Sequence, residues 1–131
     1  MTRILLIEDN PANRKLLGDH LRRAGHEVEA VEAADVGLAR ARGGGVDLVV
    51  MDVQLPGMDG LAATRLLRAH PATRHLRVLA VTAHAMRGDE ARILAAGCDA
   101  YVAKPIDYRE FLDQVARLLA AGHRPPGEGA P

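Results

Sequence analysis

The chain has 131 residues, a length typical of one domain, and its 17 basic residues balance 17 acidic ones. A chain with no net charge and no clustered basic face is not expected to bind nucleic acid directly. No apolar run approaches the roughly 20 residues of a membrane span, and a single cysteine cannot form an internal disulfide, so we expect a cytoplasmic protein.

The first half of the chain predicts three strands with two helices between them. Residues 3–8 form a nearly continuous apolar run, which is typical of a strand buried on both faces. A helix begins at Pro11 after the cap residue Asn10 and ends before Gly25. The next segments are an alternating strand near the sheet edge, an alanine-rich helix and a second buried strand, over residues 27–31, 33–42 and 46–51.

The second half continues the same alternation. A loop with proline and glycine, residues 54–60, separates the third strand from the next helix. The remaining helices and strands alternate over residues 61–69, 77–81, 88–96, 101–103 and 108–121. Residues 122–131 are rich in glycine and proline and are expected to form a disordered tail, so the domain spans residues 1–121.

Five strands that alternate with five helices predict an α/β fold. Because the strands are short and apolar, they are expected to form one parallel sheet that helices cover on both faces. Crossovers between parallel strands are right-handed, which leaves few arrangements of such a sheet. The sequence therefore predicts a doubly wound five-stranded parallel sheet.

Polar side chains collect where the predicted strands end, at the edge where open parallel sheets carry their sites. These side chains are Glu8, Asp9, Asp52, Thr82 and Lys104. Three neighbouring carboxylates repel one another, so without a cation at least one should have a raised pKa. Oxygen ligands suit Mg²⁺, and a carboxylate beside such an ion can attack phosphorus to form an acyl phosphate. The polar residues at the strand ends therefore suit the transfer of a phosphoryl group to a carboxylate.

Four motifs give the chain its resemblance to a known family. They are IEDN at residues 7–10, MDVQLPGMDG at 51–60, VTAHAM at 81–86 and YVAKPI at 101–106. With these four motifs in this order, the chain resembles a bacterial response-regulator receiver domain from about Arg3 to Ala121. The phrases TAHAMRGDEA and GCDAYVAKPI are similar to stand-alone regulators of cell division and polarity, and to receivers of hybrid histidine kinases. The resemblance implies a flavodoxin-like sheet with strand order 2-1-3-4-5.

The resemblance also implies roles for the residues that match its motifs. Asp52 lies at the phosphoacceptor position and Lys104 at that of the phosphate-pairing lysine, whose bond to Pro105 is expected to be cis. Thr82 matches the switch hydroxyl, and Tyr101 matches the aromatic residue that turns inward on activation.

The implied cofactor is Mg²⁺ (or Mn²⁺), with Asp9, Asp52 and the backbone carbonyl of Gln54 as ligands. Glu8 stands where aspartate is commoner, and its extra methylene favours ligation through water. The side chains of Gln54 and His84 border the phosphoryl position, and we expect them to tune how long the phosphate lasts.

These roles predict a single-domain response regulator of a two-component phosphorelay. The partners would be a sensor histidine kinase or a histidine phosphotransfer protein, which presents phosphohistidine, and a downstream protein that recognises the switched surface. Because no output domain follows Ala121, output by protein–protein contact is expected. We do not expect the chain to be an enzyme that acts on a separate substrate, since such a domain catalyses only its own phosphorylation and dephosphorylation.

Other functions share parts of this pattern. The chain could be the receiver fragment of a hybrid histidine kinase. A magnesium-dependent phosphohydrolase with an aspartate nucleophile commonly has a second acid two residues later, where this chain has Gln54. A flavin-binding electron carrier needs phosphate-binding loops, but the loop after the first strand is acidic. A degenerate receiver that only docks is disfavoured because every key position is filled.

Overall fold

A computed structural model of the chain describes residues 1–83, 86 and 88–125. Strands and helices alternate along it from a first strand to a last helix. The elements are β1 (Arg3–Ile7), α1 (Pro11–Arg23), β2 (Glu27–Val31), α2 (Ala34–Arg42), β3 (Leu48–Asp52), α3 (Gly60–Ala69), β4 (Arg77–Thr82), α4 (Asp89–Ala95), β5 (Ala100–Ala103) and α5 (Tyr108–Ala121).

The five strands form one parallel sheet in the order β2-β1-β3-β4-β5. The order along the sheet reverses between β1 and β3, which pair directly with Ile7 opposite Met51. β1 and β3 are almost wholly buried, whereas β2 lies at the sheet edge and is partly exposed. The predicted fold class and strand order are confirmed.

Alternate strand residues point to opposite faces of the sheet and build two aliphatic cores. Leu5 and Ile7 of β1 belong to the core under α2, α3 and α4, and Ile4 and Leu6 belong to the core under α1 and α5. Helices therefore cover both faces, which is why the central strands read as continuous apolar runs.

Strands β3 and β4 each end one residue later than predicted, and in both strands the added residue is polar. Asp52 and Thr82 are the last residues of β3 and β4 rather than the first residues after them. The ladder continues past Asp52, since the Val53 N–H donates to the Val81 carbonyl at 2.9 Å. The backbones of Asp52 and Thr82 are therefore held by the sheet, not by a loop.

The expected disordered tail does not hold for its first residues. The Gly122 carbonyl accepts a hydrogen bond from Arg77 Nε at 3.0 Å, and the Arg124 N–H donates to the His75 carbonyl at 2.8 Å. Arg124 Nε also lies 3.4 Å from Asp99 Oδ1. Gly122 and Arg124 therefore contact the domain, and the buried carboxylate of Asp99 attracts Arg124. Residues 126–131 lie outside the described part of the chain.

Asp99 is the centre of a cluster of charges at the sheet edge opposite the strand carboxyl ends. We call Arg68, Arg77, Asp99 and Arg124 the Asp99 cluster. Arg68 is 7% exposed and donates to the carbonyls of Gly97 and Leu76 as well as to Asp99. The cluster joins the start of β4 and the turn before β5 to the end of the chain.

Gly60 begins α3 where the helix approaches β3 closely. A Cβ atom at this position would lie 2.2 Å from the Asp52 carbonyl oxygen and 2.9 Å from Val53 Cα. Because both atoms belong to the backbone of the site, Gly60→Ala is expected to destabilise the domain by about 1–3 kcal/mol. Urea denaturation would measure this change, with Gly43→Ala as the control because Gly43 is exposed and follows α2. Equal stability of the two variants would contradict the prediction.

Among the described residues, no helix combines the length and the apolar character that crossing a membrane requires.

Candidate functional site

Three carboxylates meet at the carboxyl ends of β1 and β3. Glu8 and Asp9 follow β1 directly, and Asp52 ends the neighbouring strand. One oxygen from each of the three lies within 4.8 Å of the others. Glu8 and Asp52 are buried, whereas Asp9 is partly exposed. Sequence positions 8, 9 and 52 therefore form one acidic cluster, which is open to solvent on the side of Asp9.

Lys104 brings a positive charge to this cluster from the end of β5. Its Nζ lies 3.3 Å from Asp52 Oδ2 and 3.6 Å from Glu8 Oε1. The Lys104 N–H donates to the Thr82 carbonyl at 2.8 Å, and the following bond to Pro105 is cis. One ammonium group thus faces two buried carboxylates, which leaves the cluster with an excess of negative charge.

The acidic cluster perturbs the titration of Glu8. Burial, and then the contact with Asp52 and its charge, raise the pKa of Glu8 to about 7, although Lys104 acts in the opposite direction. Neither oxygen of the Glu8 carboxylate has a hydrogen-bonding partner within the described ranges. The raised pKa expected for a carboxylate in this cluster therefore belongs to Glu8.

A divalent cation fits these residues. The donor atoms are all oxygens, which suits Mg²⁺ or Mn²⁺ better than softer metals. The buried oxygens of Glu8, which accept no hydrogen bond from the described residues, and the excess of carboxylates over nearby cations both favour a positive ligand here. Asp9 is the most accessible of the three carboxylates to such an ion.

Thr82 and Gln54 contact each other beside Asp52. Gln54 lies two residues after Asp52, and its N–H donates to Asp52 Oδ1 at 3.0 Å. The Gln54 side-chain Nε2 donates to Thr82 Oγ1 at 3.1 Å, and its Oε1 accepts from the Ala83 N–H at 2.9 Å. The side chain of Gln54 therefore links the loop after β3 to the end of β4.

The two remaining predicted residues are Tyr101 and His84. Tyr101 is partly buried and packs against the core under α2, α3 and α4. Its switching role stays a prediction. His84, the second residue expected to tune the phosphate, lies outside the described residues.

Arg14 is a residue of the site that sequence reasoning missed. Its Nη1 donates to the backbone carbonyls of Glu8 and Asp9 at 3.0 and 3.3 Å, so it holds the acidic loop from the first turns of α1. A signal existed in the spacing, because helical side chains point back toward the helix N-terminus. The loop is also fixed by Asn10, whose side chain accepts from the Asn13 N–H as the predicted helix cap.

Comparisons with known proteins agree with this geometry. The family model of the response regulator receiver domain matches residues 4–116. The polar-differentiation response regulator DivK of Brucella ovis is 40% identical over 116 residues, which are 88% of this chain and 94% of that protein.

Solved structures show the same fold. The receiver domain of a sensor histidine kinase from Pseudomonas aeruginosa PAO1, with a magnesium ion coordinated in its active-site cleft, is 35% identical with a TM-score of 0.84. The alignment covers 91% of this chain and 98% of that one. The signal receiver domain of a histidine kinase from Syntrophus aciditrophicus is 30% identical, with a TM-score of 0.85 over 92% of both chains. The chain therefore belongs to the response regulator receiver domain family.

Proposed function

We propose that the chain is a single-domain response regulator in which Asp52 accepts a phosphoryl group from phosphohistidine. The donor would be a sensor histidine kinase or a histidine phosphotransfer protein in the cytoplasm. The observation that carries this proposal is the meeting of Glu8, Asp9, Asp52 and Lys104 at one sheet edge. The similarity to DivK supports a domain that works on its own.

The proposed reaction is a displacement at phosphorus. A carboxylate oxygen of Asp52 forms the new O–P bond while the P–N bond to the donor histidine breaks, and the imidazole leaves with its electron pair and takes up a proton. Lys104 Nζ, already 3.3 Å from Asp52, neutralises charge on the phosphoryl oxygens. A magnesium or manganese ion on Asp9, Asp52, the Gln54 backbone carbonyl and, through water, Glu8 would stabilise the same charge.

Phosphorylation would then shift a conformational equilibrium. The acyl phosphate carries about two negative charges where the Asp52 carboxylate carried one, and it adds three acceptor oxygens beside Thr82. Thr82 and Tyr101 are the proposed switch residues, and the surface of α4, β5 and α5 would favour an active form that a downstream protein binds. In this proposal residues 1–121 form the switching domain, and Gln54 and His84 set the lifetime of the phosphate.

Intact-mass analysis tests the phosphoacceptor. After incubation with acetyl phosphate and Mg²⁺, the parent is expected to gain the mass of one phosphate, and Asp52→Asn to gain none. Asp113→Asn, an exposed aspartate of α5, serves as the control and should be modified like the parent. Modification of Asp52→Asn would overturn the proposal. Repeated turnover of acetyl phosphate without accumulation of phosphoprotein would indicate a hydrolase.

A second candidate function is the receiver portion of a hybrid histidine kinase. Two of the solved structures that resemble the chain, from Pseudomonas aeruginosa and Syntrophus aciditrophicus, are such receivers. The chemistry at Asp52 would be the same, and only the donor would differ. Phosphotransfer assays with purified histidine phosphotransfer proteins and with separate sensor kinases would distinguish the two by the rate of transfer to Asp52.

A further inference from the structure

The side-chain amide of Gln54 makes two hydrogen bonds beside the acidic site. Its Oε1 accepts from the Ala83 N–H at 2.9 Å, and its Nε2 donates to Thr82 Oγ1 at 3.1 Å. We call this arrangement the Gln54 clamp. A backbone N–H can only donate, so the amide oxygen must face Ala83 and the amide nitrogen must face Thr82.

The clamp lies where a phosphoryl group on Asp52 would need hydrogen-bond donors. Gln54 is only two residues from Asp52, and its own N–H donates to the Asp52 carboxylate at 3.0 Å. Lys104 Nζ and the Thr82 hydroxyl reach the same edge of the sheet, from the ends of β5 and β4. The Thr82 hydroxyl at the end of β4 and the N–H of the next residue, Ala83, are donors at this edge, and the clamp contacts both groups.

We propose that Gln54 is an internal competitor of the phosphoryl group. The amide oxygen takes the Ala83 N–H, and the amide nitrogen restrains the Thr82 oxygen, so both groups favour the unphosphorylated form. Phosphoryl oxygens on Asp52 must displace the amide oxygen before the Ala83 N–H can bind them, and the Thr82 oxygen can move toward them only when the amide nitrogen releases it. This inference rests on the proposed function of Asp52, and it concerns the affinity for the phosphoryl group rather than its lifetime.

Displacement of the clamp also has a consequence for the rest of the domain. Gln54 is the side chain through which the loop after β3 holds Thr82 and Ala83. Release of the amide at the moment of phosphorylation would free the end of β4 from this contact. The clamp thus acts as an autoinhibitory contact that couples Asp52 to the end of β4.

Beryllofluoride with Mg²⁺, a mimic of an aspartyl phosphate, tests this competition. Gln54→Ala and Gln54→Met both remove the two hydrogen bonds, and methionine preserves the length of the side chain. Both variants are expected to bind the mimic about tenfold more tightly than the parent, as measured by NMR titration, since the amide oxygen no longer competes for the Ala83 N–H. Gln114→Ala, the same change at the other glutamine of the chain, should bind like the parent.

Hydrogen exchange of the Ala83 amide tests the clamp without any ligand. Exchange should be several-fold faster in both Gln54 variants than in the parent, because the amide loses its acceptor. Unchanged exchange, or equal affinity of parent and variants for beryllofluoride, would overturn the inference. Tighter binding by Gln54→Ala alone would also overturn it, since relief of crowding would then explain the gain. If no protein binds the mimic, the proposed function fails, and the exchange result still decides whether the clamp exists.

Discussion

Replacing Asp99 with asparagine is expected to lower the free energy of unfolding by about 3–5 kcal/mol, the cost typical of removing one partner from a buried ion pair. Asp99 Oδ2 accepts from the Val78 N–H at 2.7 Å and from Arg68 at 3.0 Å. Its Oδ1 lies 3.2 Å from Arg77 and 3.4 Å from Arg124. Asparagine turns one of these acceptors into a donor and removes the only negative charge of the Asp99 cluster.

Arg68 is the residue whose charge loses the most stabilisation in Asp99→Asn. Burial, and then the charge of Arg124, lower the pKa of Arg68 to about 10, while Asp99 acts in the opposite direction. Without the carboxylate, three guanidinium groups would repel one another around a buried position. The backbone carbonyls that Arg68 also contacts are neutral and do not replace the missing charge.

Urea denaturation followed by circular dichroism at pH 7 would measure the loss. Asp113→Asn is the matched control, because Asp113 is exposed on α5 and its substitution should change stability by less than about 0.5 kcal/mol. If Asp99→Asn and Asp113→Asn unfold at the same urea concentration, solvent must screen the three arginines in the folded protein. In that case the Asp99 cluster is not a buried ion-pair network.

Sequence reasoning could predict the fold and the acidic site for the same physical reason. Apolar periodicity reports local burial, so β1 and β3 were readable as buried strands and their ends as the edge of a parallel sheet. The strand order that the resemblance implies makes β1 and β3 neighbours, so Glu8, Asp9 and Asp52 were expected to lie close together, and one oxygen from each lies within 4.8 Å of the others.

The Asp99 cluster and the Gln54 clamp were not predictable in this way. Arg68 and Asp99 are 31 positions apart, and Gln54 and Thr82 are 28 positions apart. No local period marks Arg68 as buried, since arginine is mostly exposed and its neighbours in α3 alternate between buried and exposed. Such pairs depend on how separate loops pack, and this information is spread over the whole chain.

The second large effect is expected at Glu8. In the absence of divalent cations at pH 8, Glu8→Gln should raise the free energy of unfolding by about 2–3 kcal/mol. The pKa of Glu8 is raised from 4.5 to about 7 in the folded protein, so the folded state holds a proton that the unfolded state releases. The stability that this proton contributes is full below about pH 4.5 and is lost as the pH rises through 7.

The variant and the parent should therefore differ in how stability depends on pH. Between pH 5 and 8 the parent loses stability relative to Glu8→Gln, because a buried carboxylate must ionise beside Asp52. Near pH 4 the two proteins should be almost equally stable, since Glu8 is then neutral in both states. Glu32→Gln serves as the control, because Glu32 is exposed before α2 and should leave the pH profile unchanged.

Added magnesium should reduce the stability advantage of Glu8→Gln at pH 8. A divalent cation stabilises ionised carboxylates, so added Mg²⁺ should raise the unfolding midpoint of the parent at pH 8 more than that of Glu8→Gln. Urea titrations of the parent and of Glu8→Gln, each with EDTA and with Mg²⁺ at each pH, give the four unfolding midpoints that are compared. Equal pH profiles of parent and Glu8→Gln in EDTA would mean that solvent already stabilises the Glu8 charge. Equal shifts on adding Mg²⁺ would mean that the charge of Glu8 does not contribute to holding the ion, and that Asp9 and Asp52 are sufficient.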